Sequence, residues 1–421
     1  MERRRLGLIT RALPGVLVLA LAMGWLAGCK SSGLQCKGSS DCAAGFVCVY
    51  GGCFKGGLKP GGTTGTGGDT VTTSDTTGGD STTSVDVTNP TAWNLGATES
   101  LLFVVGGEAQ NDVGIYRFDS ADGTLTRTLL GNLVGGCTVA APVPNRNFAV
   151  VSDGGQNKVW LVEVLSPGDK IKVQHEATID IGLADLAVTP DGSRVLILTT
   201  NPPQLSVLQI DWLAKTFTTR TDLTVGAMPR RIAVHPSGKW ARVTNQEDGT
   251  LTLIDLASNP PKATLDLTTP ATQPFGIAIS PDGSTLALVT GENDSLYTYS
   301  IDALNLGLIA GPEPIGTTPT ELVYAPDGTL AFLADLGGSP SVHVLAVESN
   351  NALTLKLSIP TGSFGGPDRI GVSPDGKIAV ALDLAQSIAY VFDIDATGSV
   401  TKRDTNLDLF PNAKDFTFLK F

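Results

Sequence analysis

Carboxylates and guanidiniums recur at one register of a repeated sequence. Five residues before a recurring proline, or its equivalent at the C-terminus, stand Val139, Asp185, Arg231, Gly276, Glu321, Arg369 and Asp415, with Arg230, Asp368 and Lys414 beside them. If the repeats surround a common axis, these side chains ring one mouth of a channel. Alternating acids and bases there can bind a polar metabolite, or polarise a lactone carbonyl while a carboxylate guides water. The same charges can equally neutralise one another around a solvated opening and do nothing else. Asp185, Arg230, Arg231, Glu321, Asp368, Arg369 and Asp415 are therefore the candidate ligand residues. Other chemistry is sparse. The three histidines, His175, His235 and His343, all fall in strand patterns without a recognisable acid or nucleophile partner, and read as structural. The sequence has no Gly-x-Ser-x-Gly elbow, no His-Glu-x-x-His and no Cys-x-x-Cys-His haem motif. Neither a metal nor a cofactor is expected.

The elements that position the ring follow from the repeat itself. Pro190-Asp191-Gly192, Pro236-Ser237-Gly238, Pro281-Asp282-Gly283, Pro326-Asp327-Gly328 and Pro374-Asp375-Gly376, with a degenerate Pro144-Asn145-Arg146, succeed one another at intervals of 45 to 48 residues. A period of that size means one supersecondary unit per repeat, stacked so that neighbours bury each other's faces. Before each proline, apolar residues alternate at minus four and minus two, as in Ile232 and Val234 or Ile277 and Ile279, which predicts an inner strand. The proline and glycine then make a tight turn. A second strand such as Thr285 to Thr290, a third such as Ser295 to Asp302, and a more polar outer strand such as Ala263 to Thr268 complete a four-stranded unit.

The ends of the array predict closure. Leu101 to Val105, Gly114 to Asp119 and Leu125 to Leu130 supply a second, third and fourth strand with no inner strand before them. The chain ends in Lys414-Asp415-Phe416-Thr417-Phe418-Leu419-Lys420-Phe421, which has the inner-strand pattern in register. The C-terminal strand should thus enter the first unit and close an all-β, seven-bladed propeller without free sheet edges. A proline seven residues ahead of the repeat proline, as in Gly226-Ala227-Met228-Pro229 or Gly316-Thr317-Thr318-Pro319, followed by Ile-Ala-Val-x-Pro, resembles the YVTN and lactonase-like propellers. The resemblance covers about residues 96 to 421. It implies the seven-bladed fold and admits lactone hydrolysis, but no catalytic residue can be matched singly.

The N-terminus addresses the chain to the cell envelope. Arg3, Arg4 and Arg5 precede the apolar stretch Val16 to Ala22, and Leu26-Ala27-Gly28-Cys29 follows, as in an export signal over residues 1–28. Those last four residues resemble a bacterial lipobox, which implies lipid attachment at Cys29. Lys30 after it leans toward outer-membrane delivery in a Gram-negative cell. Cys36, Cys42, Cys48 and Cys53 then crowd a small module, residues 29–53, where two disulfides of undetermined connectivity are expected. Cys137 reads as a buried structural thiol. Residues 54–95 are dominated by Gly, Thr, Ser and Asp, a tether with a root-mean-square reach of about 35 Å. The domain expected to act is 96–421.

Charge restricts the partners. The chain carries 29 Lys and Arg against 41 Asp and Glu, a net charge of −12, and loss of the signal removes four of the arginines. That balance argues against nucleic acid and against electrostatic docking on anionic lipid heads. The expectation is a monomeric exported lipoprotein, joined to the membrane by its lipid anchor, whose propeller is a binding scaffold for a protein or glycan. The alternative is a lactonase-like hydrolase acting at the channel mouth.

Overall fold

A computed structural model describes residues 46–49, 52–55 and 99–419, apart from the short breaks 107–112, 120–123, 132, 134–135, 154, 166–167, 269–272, 363–364 and 405. The export signal, Cys29, Cys36, Cys42 and the body of the tether lie outside the described residues. The chain divides into two units, Met1–Val85 and Asp86–Phe421. In the first, Phe46–Val49 pairs antiparallel with Gly52–Lys55, and the register sets Cys48 opposite Cys53.

The second unit is an all-β, seven-bladed propeller, and the described residues contain no helix. Each blade is an antiparallel sheet in which four strands follow one another from the axis outward. Blade 1 takes the C-terminal strand Ala413–Leu419 as its innermost member, ahead of Glu99–Gly106, Val113–Asp119 and Thr124–Gly131. The innermost strands of blades 2 to 7 are Val139–Pro142, Ile181–Val188, Pro229–Val234, Pro274–Ile279, Pro319–Tyr324 and Arg369–Val372. Blade 7 adds a two-residue strand, Leu407–Asp408, on its third strand Ile388–Ile394. The ring closes as the sequence predicts, with Leu102 opposite Phe418 and Val104 opposite Phe416.

Local chemistry explains the regularity. Gly192, Gly238, Gly283, Gly328 and Gly376 all have φ between 68° and 76°, the left-handed region that the turn after the repeat proline demands. The turn aspartates seal it: Asp282 accepts from the Ser280 hydroxyl at 2.6 Å and the Ser284 amide at 2.9 Å, and Asp375 accepts from the Ser373 hydroxyl at 2.6 Å. Second strands such as Thr285–Thr290, Leu330–Asp335 and Ile378–Asp383 are buried at every residue, because neighbouring blades cover both faces. This accounts for their continuous apolar runs. The core consequently lies in the seams. Phe103 and Val105 of blade 1 pack with Val151 and Val162 of blade 2, while Leu102 and Val104 pack with Val380 and Leu382 of blade 7. Cys137 is fully buried in the first of these seams, as expected for a structural thiol.

Candidate functional site

The innermost strands leave one hydrogen-bonding edge facing the axis, where no further strand can pair with it. Three of the predicted acids occupy that gap. The Asp185 carboxylate of blade 3 accepts from the Ile232 amide of blade 4 at 2.8 Å. Glu321 of blade 6 accepts through Oε2 from the Ile370 amide of blade 7 at 2.8 Å. Asp415 of blade 1 accepts through Oδ2 from the Ala140 amide of blade 2 at 3.1 Å. In each case the acid satisfies the donor one residue past the equivalent position of the next blade, so one rule of register produces three bonds across three seams.

The two arginines of the ring are differently placed. Arg231 Nε stands 3.8 Å from Glu321 Oε1, reaching past blade 5, where the equivalent residue is Gly276. Arg369 Nε stands 3.5 Å from Asp415 Oδ1. Both contacts are ion pairs without a hydrogen bond, and among the described residues the buried Nε atoms of Arg230, Arg231 and Arg369 have no hydrogen-bond partner. Gly276 is required by this packing: a Cβ there would lie 2.8 Å from a Val289 methyl and 3.0 Å from the Thr320 carbonyl oxygen.

Asp185, Arg231, Glu321, Arg369 and Asp415 line one central cavity of about 360 Å³, with Val139 completing the ring and apolar residues such as Ile232, Ile277, Leu322 and Tyr324 further along. Lactone-sized molecules fit a space of that volume. Arg230 and Asp368 do not line it. The Arg230 guanidinium lies over the Phe275 ring at 4.2 Å, and Asp368 is half-buried near Arg231 and Lys414.

Burial sets the electrostatics. It pushes the Glu321 carboxyl up to about 8, against the pull of Arg231, and repulsion from Asp415 and Asp185 adds to the rise. Burial likewise raises Asp415 to about 7, although the Ala140 and Phe416 amides favour its charge. Asp185 is raised by burial, with Arg231 and the Ile232 amide opposing. For Arg231, burial works against the cation, but Glu321, Asp185, Asp415 and Asp368 together hold it above its ordinary value. Arg230 is lowered by burial and by its neighbour Arg231. The cavity is therefore lined by two guanidiniums beside carboxyls that exchange protons near neutrality, a combination suited to binding an oxygen-rich acid or moving a proton.

The histidines stand apart from this cavity. His343 is buried, with Nδ1 2.8 Å from the Ser358 hydroxyl and Nε2 3.3 Å from Asp335. His235, one residue beyond its strand, stacks on Trp240 at 4.3 Å, and His175 accepts from the Phe217 amide at 3.2 Å. Sequence reasoning found the charged ring but missed the backbone amides that hold its acids. Their only signal was the matching register of acid and strand. The significance of Gly276 was signalled by its being the one glycine in the aligned series.

No protein-family description matches this sequence, and no curated protein matches it. Solved structures do. A candidate 6-phosphogluconolactonase from Bacteroides fragilis superposes with a TM-score of 0.66 at 15% identity, covering 77% of this chain and 99% of that one. The periplasmic gluconolactonase of Pseudomonas aeruginosa gives 0.66 at 14% identity, over 76% and 99%. A protein from Lactobacillus plantarum gives 0.64 at 16% identity, over 76% and 100%. At such identities the likeness establishes the fold: this chain carries a seven-bladed β-propeller of the form seen in gluconolactonase structures.

Proposed function

We propose that this protein is an exported, lipid-anchored propeller that holds a small oxygen-rich ligand, an acid or its lactone, in the central channel. The observation that carries the reading is the pair of guanidiniums, Arg231 and Arg369, that line the cavity and meet Glu321 and Asp415 at 3.8 and 3.5 Å without a hydrogen bond. A ligand oxygen that accepts from these guanidiniums makes a charge-assisted hydrogen bond, about twice as strong as a neutral one. Anchoring at Cys29, outer-membrane location, disulfides in the cysteine-rich module and a tether that displays the propeller belong to the same proposal, supported by the order of segments in the sequence. A sugar acid also fits the binding-scaffold expectation, as the free form or as part of a glycan.

Lactone hydrolysis is the second reading, favoured by Glu321. In its ionised form the carboxylate takes a proton from water as the water oxygen bonds to the lactone carbonyl carbon. Arg231 and Arg369 donate to the oxygen that becomes negative, the ring C–O bond breaks, and the proton passes to the departing ring oxygen. The gluconolactonase among the structural neighbours supports this chemistry by fold kinship. The test is hydrolysis of a panel of sugar and acyl lactones by the chain lacking residues 1–28, with binding of the corresponding acids measured in parallel. Turnover lost in Glu321→Gln and in Arg231→Ala supports the hydrolase. Binding without turnover supports the scaffold. Neither binding nor turnover removes the channel-ligand reading.

A further inference from the structure

We propose that an anion seated between Arg231 and Arg369 is bound together with one proton, held on Glu321 or Asp415, so that the channel takes its ligand as the neutral acid. This rests on the channel-ligand reading above and adds the form in which the ligand is held.

The cavity wall contains three carboxylates, Asp185, Glu321 and Asp415, against two guanidiniums, Arg231 and Arg369. Fully ionised, the ring is already net negative, and an added anion would deepen that imbalance where burial weakens screening. A proton taken from solvent offsets the charge the anion brings. The geometry provides its place. Glu321 Oε2 is engaged by the Ile370 amide, whereas Oε1 faces Arg231 at 3.8 Å, beyond hydrogen-bond reach. Asp415 repeats the arrangement, with Oδ2 on the Ala140 amide and Oδ1 3.5 Å from Arg369 Nε. Each carboxyl therefore keeps one oxygen fixed to the backbone and turns the other toward a guanidinium. A proton on the second oxygen leaves the anchoring bond intact, releases the guanidinium to the ligand and supplies an O–H donor of its own.

The surrounding charges agree with this assignment. Glu321 is faced by Arg231 of blade 4, Asp185 of blade 3, Asp415 of blade 1 and the Ile370 amide of blade 7. Asp415 is faced by Arg369 of blade 7, Arg231, Asp185 and the amides of Ala140 and Phe416. Asp368 acts on Arg231 from blade 7 with Lys414 nearby, and Arg230 adds a cation beside Arg231. Acids outnumber bases among the groups that line the cavity, and both Glu321 and Asp415 already titrate near neutrality before an anion arrives.

The test is calorimetric titration of the purified protein with D-gluconate in HEPES and in Tris, buffers whose different ionisation heats reveal protons taken up. The expected result at about pH 8 is uptake of about half a proton, rising toward one at higher pH, with affinity falling about tenfold per pH unit once Glu321 and Asp415 are ionised in the free protein. In Glu321→Gln, which keeps an oxygen for the Ile370 amide, uptake falls by about half with gluconate still bound; Asp415→Asn takes most of the remainder. Equal heats in both buffers, with binding that Arg231→Ala weakens, overturn the proton coupling and leave the channel reading intact. No binding by the wild-type protein overturns both. If either neutral variant fails to fold, the wild-type pH slope decides alone, and a flat slope overturns the proposal.

Discussion

Arg231 and Glu321 meet at 3.8 Å although the whole of blade 5, whose residue in the same register is Gly276, separates their blades in the ring. The charged ring is thus uneven: an ion pair spans the position where a side chain is missing.

Gly276→Ala should disturb this contact from below. The new methyl would meet Val289 of the same blade at 2.8 Å, the Thr320 carbonyl oxygen at 3.0 Å and the Glu321 Cα at 3.3 Å, so the seam between blades 5 and 6 must give. Overpacking of this kind costs about 1–3 kcal/mol. Chemical denaturation should show that loss, together with weaker binding of gluconate. Unchanged stability would mean that the seam between blades 5 and 6 has slack.

The pH dependence of stability has a definite sign. Glu321 and Asp415 titrate at about 8 and about 7 in the folded chain, against ordinary values of 4.5 and 3.8. Between those limits the folded state holds more protons than the unfolded one, so stability contributed by these groups falls as pH rises from about 4 to about 8. Melting curves across that range should slope downward, and Glu321→Gln should flatten the slope and gain relative to wild type at the alkaline end. A slope unchanged in that variant contradicts the burial of Glu321.

Asp335 predicts the opposite behaviour. Burial opposes its charge, but His343 and the amides of Thr318, Thr317 and Gly337 hold its carboxyl below the ordinary range. Its stabilisation is present above the unfolded value and lost as pH falls through the folded one. Asp335→Ala should cost about 1–3 kcal/mol, since buried His343 and three partly exposed loop amides lose their shared acceptor. His343→Gln should leave gluconate binding unchanged within about twofold, because His343 does not line the cavity. A larger loss of binding would assign His343 to the site.

Removal of residues 411–421 should abolish the cooperative fold. It strips Ala413–Leu419 from blade 1, exposing the inner edge of Glu99–Gly106, and takes Phe416 and Phe418 from the seam with blade 7. The milder Phe418→Ala should cost about 3–5 kcal/mol. A truncated protein that melts as sharply as the full chain would show that the ring does not depend on its closing strand.

Fold and closure were legible because they are local and repeated. The alternation around Ile232 and Val234, the turn at Pro281-Asp282-Gly283 and the inner-strand pattern at Phe416 and Phe418 each follow from neighbouring residues, and seven copies reinforce one another. Register alone also brought Asp185, Arg231, Glu321, Arg369 and Asp415 to one level of the axis. Which of these charges pair, and which keep an unused donor, depends on side chains from blades more than forty residues apart. The sequence could not show that each acid is held by the next blade's amide, that Arg231 reaches Glu321 two blades away, or that Arg230 turns onto Phe275. Those outcomes arise from closing a ring whose inner edges have no partner strand, and burial in that ring sets the proton affinities from which any function must be built.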